Sequence, residues 1–253
     1  MKSWMVFLNK ELTEQMRTYK TLIIGLILLL FGIMSPVMAK LMPELLSGMD
    51  LGITIQFPEP VVTDAYAQFF KNITQMGMIV VILVFSGVIS MEKSKGTAVL
   101  MLTKQLSRSA FVLSKFFAAV LLWTVSFGLS SLVCFYYTQV LFPKTQVPGL
   151  VFSLFCLWLY VVIMISLTIL SSTLFSNPYL CTFGAFAFWF LLMFTTYVPK
   201  FRNISPQVLS TWNMSLLTAV KVPGDLKLPI VIGLLLIFFT MLISCYVFKK
   251  QEL

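Results

Sequence analysis

The sequence has no histidine, four cysteines and few charged residues for its length. Charged residues account for 11% of the 253 residues, whereas hydrophobic residues account for 59%. The absence of histidine excludes histidine metal ligands, histidine bases and histidine pH switches. The cysteines lie in apolar runs without a CxxC spacing, which predicts packing residues and no metal site: Cys134, Cys156, Cys181 and Cys245.

The sequence also lacks motifs that would supply energy or catalysis. It contains no G-x-x-x-x-G-K-[ST] segment, so the chain has no P-loop of its own for ATP. Its long apolar runs carry no Asp, Glu, Lys or Arg in their interiors, where ion-coupled carriers usually place an ionisable group. Serines without a neighbouring base argue against a hydrolase, so we predict no catalytic residue. An ion-coupled carrier with an uncharged ion site stays open as an alternative.

Long apolar runs dominate what is present, and the mean hydropathy is +0.95. Each run is long enough to cross a bilayer as an α-helix. We therefore predict an all-α membrane protein with six transmembrane helices in one domain, 21–253. The predicted spans are 21–39, 72–91, 116–142, 150–175, 179–198 and 229–248. The outer segments are then 40–71 and 199–228. The first is expected to form an ordered loop. The weakly polar middle of the second, 208–220, is expected to dip partway into the membrane.

Residues 1–20 have the pattern of an amphipathic helix. Apolar residues recur at helical spacing, and most charged residues fall off that stripe. This pattern predicts an interfacial helix lying in the plane of the membrane surface. The alternative is the n-region of a signal peptide. The length of the segment and its two acidic residues, Glu11 and Glu14, argue against that alternative.

The distribution of basic residues predicts the orientation. The net charge is +9, and segments on the side of the N-terminus hold 11 of the 18 Lys and Arg residues, against 7 on the opposite side. The positive-inside rule then places both termini in the cytoplasm. Because basic residues flank membrane spans for this reason, the charge does not indicate nucleic-acid binding.

One polar stretch, 92–115, separates the second and third spans. It must leave the hydrocarbon, because each charge at mid-bilayer costs about 2.5–3.5 kcal/mol. Lys95-Gly96-Thr97 breaks the helical pattern there, and 97–106 is expected to form a short helix. We interpret the stretch as a cytoplasmic loop on which a separate ATPase acts. The alternative is a solvated basic loop that only fixes the topology.

The residues of this loop resemble a motif of a known family. The run from Glu92 to Arg108, followed by Phe111 and Lys115, is similar to the E-x-x-x-G-T … L-T-x-P-x-S-R … K stretch of ABC-2 type transporter permeases. Lys10-Glu11-Leu12 with Arg17 resembles the elbow helix that precedes their first span. The order of elements matches over essentially the whole chain, although Gln105 stands where the family often has proline.

The resemblance implies an ABC-2 (type V) exporter-like fold and its partners. It implies a dimer with a second copy or a homologous permease, and two P-loop ATPase subunits that hold ATP and Mg²⁺. Binding and hydrolysis of ATP would rock the permeases between two states in a bacterial plasma membrane. The residues implied to couple to the ATPase are Glu92, Lys93, Lys95, Gly96, Thr97, Leu102, Lys104 and Arg108. Those implied to form the interfacial helix are Trp4, Leu8, Lys10, Glu11, Leu12 and Arg17.

The cargo is expected to be amphipathic or hydrophobic, with a peptide or toxin as the best prediction. The chain is similar to Gram-positive permeases that export bacteriocins or phenol-soluble modulins. Aromatic residues of the spans are candidates for a pathway wall, although such residues mostly face lipid or partner helices. The candidates are Phe155, Trp158, Tyr160, Phe186, Trp189 and Phe194. The alternative function from the sequence is a non-transporting immunity or sensory module.

Overall fold

A computed structural model describes residues 2–47, 59–102, 107–142, 147–220 and 222–251. The fold is 83% helical, and these residues contain no strand. The helices are α1 (Lys2–Arg17), α2 (Lys20–Ser47), α3 (Val62–Asn72), α4 (Met78–Phe85), α5 (Ser90–Ser94), α6 (Thr97–Leu102), α7 (Arg108–Leu141), α8 (Leu150–Leu174), α9 (Pro178–Thr195), α10 (Val208–Thr211), α11 (Asn213–Leu217) and α12 (Lys227–Lys250).

Six helical runs of the described residues are long and apolar enough to cross a membrane. They are Lys20–Met42, Val62–Ser94, Arg108–Leu141, Leu150–Leu174, Pro178–Thr195 and Pro223–Lys250. The N-terminal helix α1 precedes the first of them. The predicted all-α fold, with six membrane-spanning helices after an N-terminal helix, is confirmed.

The second span begins earlier than the sequence analysis expected. Buried side chains recur along α3 at helical spacing, so residues predicted as part of an outer loop instead form an amphipathic helix: Val62, Ala65, Tyr66, Phe69 and Phe70. A π-helical turn, Ile73–Gly77, joins α3 to α4. At this turn Asn72 Nδ2 donates to Ser35 Oγ of α2 at 3.0 Å, which satisfies a polar side chain inside an apolar region.

Helix α8 forms the centre of the bundle. In the most apolar stretch of 18 residues of α8, 67% is buried inside the protein, whereas only 11% of the corresponding stretch of α9 is buried. Helices α4, α7, α9 and α12 all pack against α8. The outer faces of α9 and α12 therefore remain available to lipid or to a partner chain.

The segment after α9 folds back onto the bundle. Helices α10 and α11 are short, and their apolar side chains are buried against α8: Val208, Leu209, Leu216 and Leu217. Tyr160 of α8 donates its hydroxyl hydrogen to Gln207 Oε1 at 2.6 Å. The predicted dip of 208–220 partway into the membrane stays a prediction.

Helices α2 and α7 approach closely at one glycine. A Cβ atom at Gly32 would lie 2.6 Å from the backbone oxygen of Ser130, a distance that real Cβ atoms do not reach. Ser130 Oγ donates to the backbone oxygen of Leu28 at the same crossing. Small residues allow helix backbones to approach in this way inside a membrane.

We therefore expect Gly32→Ala to destabilise the bundle, because α2 and α7 must separate to accommodate the methyl group. The cost should be about 1–3 kcal/mol, typical of overpacking. Gly25→Ala on the same helix is the matched control, since nothing lies within 4 Å of its Cβ position. Thermal unfolding of the purified chain measures both. Equal melting midpoints for the two variants would contradict the close crossing.

Candidate functional site

The loop predicted to contact an ATPase folds as two short helices joined by a tight turn. Helix α5 ends at Ser94, and α6 begins at Thr97. Gly96 has a φ of 69°, a left-handed conformation that glycine adopts without steric cost. Thr97 Oγ1 donates to the backbone oxygen of Glu92 at 3.2 Å and closes the turn. The tip formed by Ser94, Lys95 and Gly96 is exposed.

A buried ammonium group holds this loop to the N-terminal helix. Lys115 Nζ of α7 lies 2.7 Å from Glu92 Oε1 of α5 and 3.0 Å from Glu11 Oε2 of α1. Lys115 is 1% exposed, Glu11 3% and Glu92 8%. Because buried charges require close partners, the three helices are fixed to each other at this point. We call Glu11, Glu92 and Lys115 the ion cluster.

Lys10 and Glu14 extend the ion cluster towards the surface. Lys10 Nζ lies 2.7 Å from Glu14 and 3.7 Å from Glu92. Burial lowers the pKa of Lys10, but the hydrogen bond from Lys10 to Glu14 and the nearby carboxylates outweigh burial and raise it. Burial raises the pKa of Glu14, but the bond from Lys10 and nearby positive charges lower it overall. The pair therefore stabilises the fold above the unfolded pKa of Glu14 and loses this contribution as pH falls through the lowered folded value.

The carboxylates of this region are compensated by lysines. Oxygen atoms of Glu11, Glu14 and Glu92 lie within 4.8 Å of one another, a spacing that suits a metal ion. Lys115 and Lys10, however, already supply two positive charges between them. The arrangement is therefore that of an ion-pair network.

Stacked aromatic rings support the cluster from the apolar side. The rings of Phe111 and Phe248 stack at 5.0 Å, and Phe7 lies 5.8 Å from Phe111. The Lys115 ammonium lies 5.0 Å from the centroid of the Phe111 ring, within the range of a cation–π interaction. These contacts join α1, α7 and α12 beneath the charges.

Arg108 binds the end of the last helix. Its Nη1 donates at 2.8 Å to the backbone oxygens of Lys249 and Gln251. The last carbonyls of a helix lack partners within the helix, and a cation beside them is favourable. Arg108 therefore fixes the start of α7 to the end of α12.

Lys93 and Ser172 attach the loop to α8. Lys93 Nζ donates at 2.7 Å to the backbone oxygen of Thr173 and at 3.1 Å to Gln251 Oε1. The Oγ of Ser172 accepts hydrogen bonds from the backbone N–H groups of Ile89 and Ser90, each at 3.1 Å. The ends of α8 and α12 and the start of α5 thus lie at one end of the bundle with the ion cluster. We call this the cluster end.

The predicted coupling residues therefore divide into two groups. Glu92, Lys93 and Arg108 bind other parts of the same chain, whereas Lys95 and Gly96 are exposed. Lys104 and the side chains of Leu102 and Trp4 lie outside the described residues. Of the remaining predicted residues of the interfacial helix, Lys10 and Glu11 join the charged network, Leu8 and Leu12 are half-buried, and Arg17 is exposed.

The six aromatic candidates for a pathway wall do not share one surface. Tyr160 is fully buried in the core, and Phe155 and Phe194 are exposed on α8 and α9. Trp158 Nε1 donates to Thr124 Oγ1 of α7 at 3.0 Å. Phe186 and Trp189 are half-buried on α9 with ring centroids 6.2 Å apart. A pathway wall made of these residues stays a prediction.

Sequence reasoning placed Lys115 in the family-like stretch but not among the coupling residues, and it missed Gln251. The signal for Lys115 is its isolation, because no other charged residue follows Arg108 within α7. A lone lysine at the edge of an apolar helix requires a carboxylate partner if it is buried. Gln251 follows the last turn of α12 and offers no comparable signal in the sequence.

We expect Lys115→Met to destabilise the chain by about 3–5 kcal/mol, because it leaves Glu11 and Glu92 buried without a cation. The midpoint of thermal unfolding of the purified chain is the measurement. Lys95→Met is the matched control and should change little, since Lys95 is exposed. Adding Glu11→Gln and Glu92→Gln to Lys115→Met should recover much of the loss. A Lys115→Met variant as stable as the control would exclude a structural ion cluster.

Comparison with known proteins identifies the family. The family described as ABC-2 family transporter protein matches residues 5–253, nearly the whole chain. The chain is also 24% identical over 180 residues to the uncharacterized transmembrane protein YxlG of Bacillus subtilis (strain 168), covering 70% of each protein. Permeases of this family are membrane transport subunits that typically work with an ATPase partner. The chain therefore belongs to the ABC-2 family of transporter proteins, as a multi-pass membrane protein of that type.

Proposed function

We propose that the chain is the permease subunit of an ATP-driven exporter, with energy supplied by a separate P-loop ATPase. The observation that carries the proposal is the loop of α5 and α6, which presents an exposed tip at the cluster end of a chain of this family. ATP and Mg²⁺ would be held by the partner. A second copy or a homologous permease, and two ATPase subunits, would complete the transporter in a bacterial plasma membrane, with both termini cytoplasmic.

The exposed tip is the surface that we assign to the ATPase. Lys95 and Gly96 point away from the bundle, whereas the Glu92 carboxylate points inward to Lys115. In this proposal Glu92 and Arg108 position the loop rather than touch the partner. Thr97 closes the turn that carries the tip through its hydrogen bond to Glu92.

The contacts of the loop supply a route from the tip to the spans. The ion cluster connects it to α1 and α7, Lys93 and Ser172 connect it to α8, and Arg108 connects the following segment to α12. A displacement of the tip would therefore move several helix ends together. Such concerted movement of packed elements is the usual basis of a two-state transition.

We propose an amphipathic or hydrophobic cargo, with a peptide or toxin as the leading candidate. Support comes from the apolar, aromatic surfaces that α9 and α12 present outside the single chain, such as Phe183, Phe190 and Phe238. In a dimer these surfaces would face either lipid or a cavity between the permeases. Buried charges of the described residues lie at the cluster end rather than mid-span, which disfavours an ion-coupled carrier.

Purification of the tagged chain from its own host in mild detergent tests the proposal. A P-loop ATPase in about equal amount should accompany the chain. Transport of candidate peptides into inside-out vesicles should require ATP and resist an ionophore. A chain that purifies without an ATPase, with or without a non-hydrolysable ATP analogue, would contradict the proposal. ATPase activity that responds to a peptide without its transport would instead support a sensory or immunity module.

We expect Lys95→Glu to weaken ATPase binding about tenfold, equivalent to ~1.4 kcal/mol, because it reverses a charge at the centre of the proposed contact. Lys200→Glu, an exposed lysine in the turn after α9, is the control. Co-purified ATPase and ATP hydrolysis per chain are measured, with thermal unfolding to verify that both variants fold. Equal ATPase recovery from both variants would remove Lys95 from the interface.

A further inference from the structure

A groove separates α2 from the end of the second span. It has a volume of about 440 Å³ and opens on the outer surface of the chain at the cluster end. Helix α2 contributes Ile23 and Ile27, and α4 contributes Val80, Leu83 and Val84. Ile23 and Leu83 are exposed to the surroundings of the single chain. The walls are therefore apolar over most of their length, as a hydrocarbon chain requires.

Among the described residues that line the groove, Lys20 is the one that carries a charge. It is the first residue of α2 and of the first span. A lysine at the end of a span can extend its ammonium group to the level of the headgroups. Among the described residues, no carboxylate lies within 4.0 Å of Lys20 Nζ, and no hydrogen bond of its side chain is present. The groove thus combines an apolar channel with a half-buried cation that lacks a close anionic partner.

We infer that this groove binds one anionic phospholipid. The phosphate would lie against the Lys20 ammonium, and one acyl chain would lie between α2 and α4 along Ile23, Ile27 and Leu83. Charge complementarity selects the headgroup, and the apolar walls select a lipid over a soluble anion. In the orientation proposed above, this is a lipid of the cytoplasmic leaflet.

The charges of the chain favour a lipid over a second copy of the chain as the occupant. Glu11, Glu14 and Glu92 are already paired with Lys10 or Lys115. Asp64 and Asp225 cap the N-terminal turns of helices at the opposite end of the bundle. The described carboxylates that no lysine binds, Glu59, Asp64 and Asp225, lie at the end of the bundle opposite Lys20. A second copy in the same orientation would therefore bring no unpaired described carboxylate to Lys20. Glu11, Glu14 and Glu92 act on Lys20 electrostatically from beyond 4.0 Å, whereas an anionic headgroup in the groove would contact its ammonium directly.

The shape of the groove provides a test variant that retains Lys20. Val84 is half-buried on the α4 wall, so an indole at this position would fill the space meant for the acyl chain. Val84→Trp thus removes the acyl site, and Lys20→Met removes the headgroup site.

Native mass spectrometry of the full-length chain tests the inference without nucleotide or ATPase. The purified protein is offered equal amounts of phosphatidylglycerol and phosphatidylcholine with matched acyl chains. The wild type should retain one phosphatidylglycerol per chain, at least tenfold in preference to phosphatidylcholine. Lys20→Met should lose this preference about tenfold, and Val84→Trp should lose both lipids. Lys95→Met, an exposed lysine at the same end but outside the groove, should behave as the wild type.

Three results would overturn the inference. Equal retention by Lys20→Met and the wild type would show that the lysine does not select the lipid. Unchanged retention by Val84→Trp would place any bound lipid elsewhere. Full competition by soluble glycerol phosphate would show a site for the headgroup anion alone. Because the assay needs no transport, these results are independent of whether the chain couples to an ATPase.

Discussion

The arrangement of the cluster end depends on the burial of one ammonium group between two carboxylates. Lys115 is nearly inaccessible, and Glu11 and Glu92 reach it from α1 and from the loop after the second span. A buried charge without partners is strongly unfavourable, so neither carboxylate can leave without a large cost. The N-terminal helix, the loop and α7 therefore adopt their relative positions together. Without the ion cluster, the loop would be joined to the N-terminal helix by far weaker contacts.

The other polar contacts of the cluster end extend this constraint to the spans. Lys93 and Arg108 bind the last carbonyls of α8 and α12, groups that lack partners within their own helices. Helix α8 is the buried centre of the bundle, so a force on the loop reaches the core through a short series of hydrogen bonds. This is the physical basis on which we propose that an ATPase drives the chain.

The sequence predicted the fold well because lipid imposes simple requirements. Long uncharged runs indicate spans, and the amphipathic pattern of 1–20 indicates a helix. The structure contains six long apolar helical runs, and α1 precedes them. Helix α3 was missed because its polar residues resemble a loop, although its buried face has helical spacing. The pairing of Lys115 with Glu11, 104 positions away, has no local signal. Charges at span ends were interpreted as topology signals or partner contacts, and tertiary packing alone decides which of them are buried.

Hydrogen exchange of the loop in a Glu11→Gln variant tests the central claim most directly. Glu11 lies on α1, far in sequence from the loop, and acts on it through Lys115. If the ion cluster joins these elements, amides of residues 90–98 should exchange about tenfold faster in Glu11→Gln than in the wild type. The control variant Glu14→Gln alters only the partly exposed edge of the network, so it should have a smaller effect. Faster exchange confined to α1, with the loop unchanged, would contradict the account.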